Sequence, residues 1–391
     1  MFSVLMFPAG RRGGRCLILV ARGKLNDSLS AVNPHAAFLF SPDETMPIRP
    51  FAALLGVAVI LSACQAAPEE ALFSGMTQGT TYHIKFVAPP KTDLPALKTE
   101  IDSALAAVDL GLSNYREDSE ISRLNRQKTS EWLDASVELI RLVAIAKAVH
   151  GKSEGCYDLT VKPILQAWGF FKHEGVVPTE GQLAEILTYV GMDKIELDEE
   201  HHRLRKLDPR VEIDLSSIGQ GHTIGVVADL LEKHGIHDYL AEIGGEMKVK
   251  GHKANGQSWR VAIEKPVPDQ RTVQRIVAVP PDRSLAIMTS GGYRNFFESG
   301  GKTYSHIVDP RTGKPVEHHL LAVSVIHDDP TWADAWSTAL QCLGDKDGPV
   351  VAELENLEVL FITGEGETLS LHETLSPRLA AEPFVQGSPH P

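Results

Sequence analysis

Positive charge is scarce in this chain: 38 lysines and arginines face 51 acidic residues, a formal net charge of −13. That balance excludes a protein whose main work is non-specific binding to nucleic acid or to anionic lipid, because both require a basic surface that displaces counterions or meets head groups. An anionic ligand would need local neutralisation, as by a metal ion. Cysteine is scarce too, with four residues in 391, and none forms a CxxC or a Cys/His spacing that resembles a zinc site. Cys156 and Cys342 are compatible with a disulfide in an oxidising compartment, but nothing in the sequence requires one, and two buried thiols are the expectation. The dinucleotide fingerprint GxGxxG is also missing: after Gly219 and Gly221 the next glycine, Gly225, comes one position too late.

What is present begins with an apolar run, Phe51–Leu61, behind Met46 and Arg49 and ahead of Leu61-Ser-Ala-Cys64. The run is too short for a spanning helix of about 20 residues, and small residues before a cysteine suit cleavage and lipid attachment at Cys64. Residues 46–63 therefore read as a lipoprotein signal and 1–45 as a mis-assigned upstream leader, with translation starting at Met46. The expected organisation continues with a tether over 64–76, one folded domain over 77–375 and a polar, proline-bearing tail over 376–391.

Within the domain, strands and helices are mixed without a fixed-period repeat, which predicts a single α+β domain. Period-two alternation predicts a strand within Thr77–Ala88, and helical spacing predicts helices over Pro95–Leu110, Ala135–His150, Gly221–His234 and Trp332–Leu343. Further strands are expected at Val211–Leu215, Tyr239–Ile243, Trp259–Glu264, Ile276–Val279, Leu321–Ile326 and Val359–Thr363.

Several polar, glycine-punctuated clusters can carry chemistry. In Ala333–Leu340, Asp334 and Thr338 are four apart on a helix and share a face, with Ser337 beside them, an oxygen donor set suited to Mg²⁺. The same Thr331–Asp334 stretch also fits a capping box, with Asp334 satisfying a backbone N–H at the helix start. Val211–Ile236 reads as strand, serine-glycine turn and helix, a geometry that aims N–H groups at a phosphate or merely caps a turn. Tyr304–Val316 fits a hairpin turning at Asp309-Pro310 and Gly313, with His306 as either a core or a working histidine. Tyr115 in a polar loop and Tyr157 beside Asp158 can stack on a flat ring or plug the edge of the core.

Taken together and in order, these clusters resemble the ApbE family of FAD:protein FMN transferases. The matching segments are the Gly79-Thr80 strand, the Ser113-Asn-Tyr115 loop, Gly155–Pro163, Asp214–Gly221, Gly244-Gly245, Thr289–Gly291, Ser305–Gly313 and Ala333–Thr338. The resemblance implies a T-fold-like α+β architecture and a Mg²⁺-dependent enzyme that cleaves the pyrophosphate of FAD. FMN would then pass to a threonine or serine hydroxyl of an acceptor protein, with release of AMP. Position by position, it implies that Asp334, Thr338, Ser217 and Ser337 hold the metal. It further implies that Gln78, Tyr115, Cys156, Tyr157, Asp158, Asp214, Gln220 and Val308 border the FAD. His306 would orient phosphate or take the hydroxyl proton, and with Asp334 it forms the catalytic pair. Gln78, Gln220 and Ser337 depart from what relatives usually carry, namely methionine, lysine or glutamate, and an acidic residue; loss of the last lowers the negative charge at the metal.

The implied setting is extracytoplasmic, on the periplasmic side, with a lipid anchor at Cys64 in the inner or outer membrane. The implied acceptors are flavoprotein subunits of membrane redox complexes, of the sodium-translocating NADH:quinone reductase or Rnf type, and no nucleic acid is involved. The alternatives are a FAD pyrophosphatase that yields FMN and AMP, and a lipid-anchored flavin-binding protein without turnover.

Overall fold

Thr80–Val87 alternates buried Tyr82, Ile84 and Phe86 with half-buried neighbours, the pattern of a strand that covers a core on one side only. In the computed structural model it is the second strand of an eight-stranded sheet whose spatial order follows the chain order. The strands are β1 (Glu70–Thr77), β2 (Thr80–Val87), β3 (Tyr239–Ile243), β4 (Glu246–Lys250), β5 (Ser284–Gly291), β6 (Leu320–His327), β7 (Glu358–Glu365) and β8 (Ser370–Leu375). Every neighbouring pair is antiparallel. The structure describes residues 69–171, 174–267, 272–293, 295–365 and 369–385. The expected leader, the expected signal and Cys64, the expected site of lipidation, lie outside these residues, as does the end of the tail.

The central strands are covered on both faces, so they read as nearly continuous apolar runs. In β6 and β7, Val323, Val325, Val359 and Phe361 enter one core while Ala322, Ile326, Leu360 and Ile362 enter the other. Helices α1 (Leu94–Leu112), α2 (Val137–Lys152), α3 (Gly219–Lys233) and α4 (Pro330–Leu354) contribute to the first core. Leu97, Ile101 and Leu105 of α1 recur at helical spacing and are buried, each such side chain contributing about 1.5–3 kcal/mol. The second core is closed by the hairpin of Arg260–Glu264 and Val273–Ala278. Among the described residues no helix is long and apolar enough to cross a membrane.

Three expectations change. Glu70–Thr77, assigned to the tether, is a full strand paired with β2 through a two-residue turn in which Gln78 and Gly79 both have positive φ (48° and 72°). The start of the tail folds as well: Pro377–Ala380 is helical, and Leu379 and Val385 are buried in the second core. Val211–Leu215 is buried but belongs to no strand; the Asn125 carboxamide takes the place of a neighbour, donating to Ile213 O and accepting from Ile213 N, each at 2.8 Å. The helix expected to end at Leu343 does break there: Gly344 is non-helical (φ 80°, ψ −168°), a Cβ on it would stand 2.5 Å from the His318 ring, and a second helical segment follows to Leu354.

Candidate active site

Helices α3 and α4 pack on each other, α3 over β3 and β4 and α4 over β5 and β6, and the space between their adjoining ends is the candidate site. Helix α4 starts at a proline behind Asp329, whose carboxylate accepts the Thr331 N–H at 2.7 Å. Asp329, not Asp334, is therefore the cap, and the capping-box reading of Asp334 is set aside. Asp334 instead reaches across to α3 and accepts the Gly221 N–H at 2.8 Å. That N–H, which the sequence made available to a phosphate, is thus occupied by a side chain.

Asp334, Ser337 and Thr338 line one chamber of about 240 Å³, as their shared helix face predicts. Opposite them the chamber receives Glu246, the first residue of β4, whose carboxylate accepts the Thr289 N–H of β5 at 2.9 Å. Burial pushes the Asp334 carboxyl up to about 7. Burial, followed by the facing charge of Asp334, holds Glu246 well above the usual carboxylate range. Asp158 and Asp214 line the same chamber and are also raised by burial. Among the described residues, no lysine or arginine lines the chamber. Buried acids with hydroxyl oxygens beside them, Asp334 and Glu246 foremost, and no lysine or arginine among the described lining residues form a donor set that suits a hard divalent ion and disfavours a fully ionised chamber without one.

The chamber shares Gln220, Ser216, Leu165 and His306 with a larger one of about 790 Å³. Its wall includes Gln78 from the β1–β2 turn, Asn114, and the aromatic residues Tyr115, Phe170 and Phe171. Tyr115 is 80% exposed and tilts toward Phe171 with ring centroids 6.5 Å apart, so a flat ligand has an aromatic surface to meet. Three buried acceptor oxygens in these walls have no protein partner: Gln78 Oε1, Asn114 Oδ1 and Asp214 Oδ2. The other Asp214 oxygen accepts from Asn114 Nδ2 at 2.9 Å and from the Ser216 N–H at 2.8 Å. Orphaned acceptors of this kind fit hydroxyl or amino donors of a bound molecule.

His306 sits just past the strand Lys302–Ser305, at a bend and not within the strand as expected. Its Nδ1 lies 3.0 Å from the Asn295 carbonyl, which can only accept, so Nδ1 carries the proton and Nε2 keeps a lone pair. Burial lowers its pKa below the ordinary histidine range, leaving the ring neutral.

The remaining predicted residues reach the cleft in different ways. Tyr157 is buried against Ser217, donating to its carbonyl at 3.3 Å and accepting from its hydroxyl at 3.2 Å. Val308 enters the wall through a short pairing of Val308–Asp309 with Lys314–Pro315, and Gly313 takes positive φ as the hairpin reading requires. Asp158 is near the cavity, but both carboxylate oxygens turn inward, to the Thr160 N–H and hydroxyl at 2.6 Å and to the Met192 N–H at 3.0 Å. It builds the loop and offers the ligand little. Ser337 spends its proton on the Asp334 carbonyl at 2.9 Å. Cys156 and Cys342 both line the small chamber, and they are joined in a disulfide with Cα atoms 5.8 Å apart, which corrects the expectation of two buried thiols.

Glu246 was not singled out from sequence. Its signal was a lone acid directly after Gly244-Gly245, at the head of a run that the fold buries, where an ionisable group needs a reason.

The sequence profile of the ApbE family matches residues 78–361. A FAD:protein FMN transferase of Vibrio cholerae is 40% identical over 318 residues, covering 81% of this chain and 94% of the relative. One from Haemophilus influenzae is 37% identical over 316 residues, covering 79% and 90%. Among solved structures, the flavin transferase ApbE from Vibrio cholerae superposes with a TM-score of 0.72 at 38% identity, covering 80% of this chain and 99% of that one. The Pseudomonas stutzeri flavinyl transferase ApbE, in its apo form, gives 0.74 at 34% identity, covering 82% and 98%.

Proposed function

The chain belongs to the ApbE family, and from that membership and the acid-lined cleft we propose that it transfers FMN from FAD to a serine or threonine hydroxyl of an acceptor protein. The observation that carries the reading is the small chamber itself: buried carboxylates of Asp334 and Glu246 with hydroxyl neighbours and no lysine or arginine among the described lining residues, adjoining an aromatic-lined space with orphaned acceptors.

Asp334, Glu246, Thr338, Ser337 and Ser217 would hold Mg²⁺. When bound, the ion would neutralise phosphate oxygens of FAD, which otherwise repel a nucleophile. In the larger chamber Tyr115 and Phe171 offer their rings to flat parts of FAD, while Gln78, Asn114 and Asp214 accept from its donors. The acceptor hydroxyl oxygen forms a bond to the FMN-side phosphorus and gives its proton to Nε2 of His306. The phosphoanhydride bond breaks, and its electron pair leaves with AMP. The ring of His306 is held for this by its Nδ1–H bond to Asn295.

The acceptors proposed are flavoprotein subunits of membrane redox complexes, of the sodium-translocating NADH:quinone reductase or Rnf type. The enzyme would meet them outside the cytoplasm from a lipid anchor at Cys64. The Cys156–Cys342 disulfide supports that compartment, since such bonds persist where the medium is oxidising.

The test is incubation of the protein with FAD, MgCl₂ and such a subunit. Acid-stable flavin fluorescence on the acceptor band, with one AMP per flavin attached, is the expected result. Free FMN and AMP with an unlabelled acceptor would identify a pyrophosphatase, and unchanged bound FAD a flavin carrier; either would overturn the transferase reading.

A further inference from the structure

The disulfide joins two walls of the cation chamber. Cys342 is four residues beyond Thr338 and eight beyond Asp334, so it continues the same face of α4. One residue after Leu343 the helix breaks at Gly344, which places the bond at the C-terminal end of the straight segment that carries the oxygen donors. The other end of that segment is pinned by the Asp329 cap and by the Arg141–Asp329 ion pair at 3.1 Å. Cys156 precedes Tyr157 in a loop that turns through two left-handed residues, Glu154 (φ 53°) and Gly155 (φ 82°), and is closed locally by the Tyr157 N–H bond to Ser153 Oγ at 3.1 Å.

Among the described residues, no hydrogen bond or ion pair ties the loop at 153–161 to α4. The loop's polar contacts run instead to Ser217, to Gly191 and Met192, and to Asp214. Lys152 and Glu355, one residue outside the loop and one beyond the far end of α4, form an ion pair, but it lies past the Gly344 break; across the chamber, loop and straight helix segment are held by packing and by this one covalent bond. The sulfurs, with Asp309, form the one group of three close acidic, histidine or cysteine ligand atoms among the described residues. Both sulfurs are spent in the bond and Asp309 is paired with Arg311, so the group is not itself a metal site.

We infer that the Cys156–Cys342 disulfide is a positioning clamp that fixes the spacing of the cation chamber, setting divalent-cation affinity and leaving the chemical step nearly untouched. The inference rests on the proposed cation role of that chamber. Opening the bond with a dithiol takes two electrons and two protons, yielding two thiols and the reagent's own disulfide. The freed α4 segment then loses its fixed distance from the Tyr157 loop, and oxygen donors that must converge within tenths of an ångström on a small hard ion no longer do so unaided.

The test compares the oxidised protein, the dithiol-reduced protein and the Cys156→Ser/Cys342→Ser double variant, with thiols mapped by alkylation and mass spectrometry. Thermal midpoint against MgCl₂ concentration reads cation binding without turnover, and FMN transfer against MgCl₂ reads its use. The expected result is an unchanged far-UV spectrum and, in both open forms, a half-saturating Mg²⁺ concentration raised at least fivefold, with transfer by the dithiol-reduced protein at saturating Mg²⁺ within twofold of the oxidised protein. Equal half-saturation in all three forms overturns the clamp, as does finding Cys156 and Cys342 alkylatable in the oxidised protein. Outright unfolding on reduction overturns it too, because the bond would then serve the whole fold. If no form labels an acceptor, the Mg²⁺ melting shift still reports on the clamp, so failure of the transferase reading is distinguishable.

Discussion

The carboxylate of Asp334 on α4 accepts the N–H of Gly221 in the first turn of α3 at 2.8 Å, so one acid fixes the approach of two helices and faces the small acid-lined chamber at the same time. A negative side chain at a helix N-terminus is favourably placed, which offsets part of the cost of burying it. The rest of that cost appears as the raised carboxyl pKa, and a divalent ion in the chamber would remove it.

Asp334→Asn separates these two roles. The carboxamide oxygen can still accept from Gly221, so the fold should be kept, while the charge is lost. FMN transfer is expected to fall by about a hundredfold or more, the scale on which one electrostatic contributor to a charged transition state is felt. Steady-state labelling of an acceptor, with circular dichroism as the folding control, decides this; wild-type transfer at limiting Mg²⁺ would remove Asp334 from the metal site.

Glu246 faces Asp334 as a like charge, and the two make opposite demands with and without the ion. Glu246→Gln keeps an oxygen for the Thr289 N–H and relieves both the repulsion and the cost of burying a second acid, so the metal-free protein is expected to melt at a higher temperature. Wild type should gain about 2.7 kcal/mol when Mg²⁺ is present at a hundred times its Kd, and the variant much less. Melting curves in EDTA and in MgCl₂ measure both signs at once; a variant stabilised by Mg²⁺ as strongly as wild type contradicts the assignment.

How far this was readable before the structure depended on whether the signal was local. Asp334 and Thr338 advertise their shared face through spacing alone, and the hairpin around Gly313 is written in its turn residues. Glu246 carries no such mark, because what places it in the chamber is the antiparallel neighbour β5 and a helix almost ninety residues away. Val211–Leu215 misled for a related reason: its apolar residues are buried as a strand's would be, but its backbone partner is the Asn125 side chain. The Cys156–Cys342 bond spans 186 residues, and no rule of spacing reaches that far.

His306 supplies a pH dependence. Burial holds its folded pKa below the ordinary 6.5, so the ring is neutral and Nε2 can take a proton throughout the neutral range. As pH falls through that lowered pKa, transfer is lost. Below 6.5 the unfolded chain also binds a proton that the native state refuses, so stability declines over the same window. The acid limb of kcat/KM should therefore lie below pH 6.5 and disappear in His306→Gln, whose rate is expected to be about 10²–10⁴-fold lower. An unchanged acid limb in the variant would assign it to another group.

The contact between α3 and α4 leaves no room for a side chain on Gly221. A Cβ there would stand 2.3 Å from the Pro330 carbonyl oxygen and 2.7 Å from Asp334 Cβ, distances that neither backbone nor a side-chain root can accommodate by rotating. This glycine is needed for close approach, not for a left-handed turn, so Gly221→Ala must push the helices apart. Overpacking of this kind costs about 1–3 kcal/mol, and because the obstacle is backbone the upper end is expected. The same displacement lengthens the Gly221–Asp334 bond and draws the carboxylate out of the chamber, so Mg²⁺ affinity should fall together with the thermal midpoint. Gly79→Ala, at an open position in the β1–β2 turn with φ 72°, provides the control, since it strains the backbone without touching α4. It should lower the midpoint and leave the Mg²⁺ dependence as it is. Equal Mg²⁺ dependence in both variants would mean that the helix contact does not govern the site.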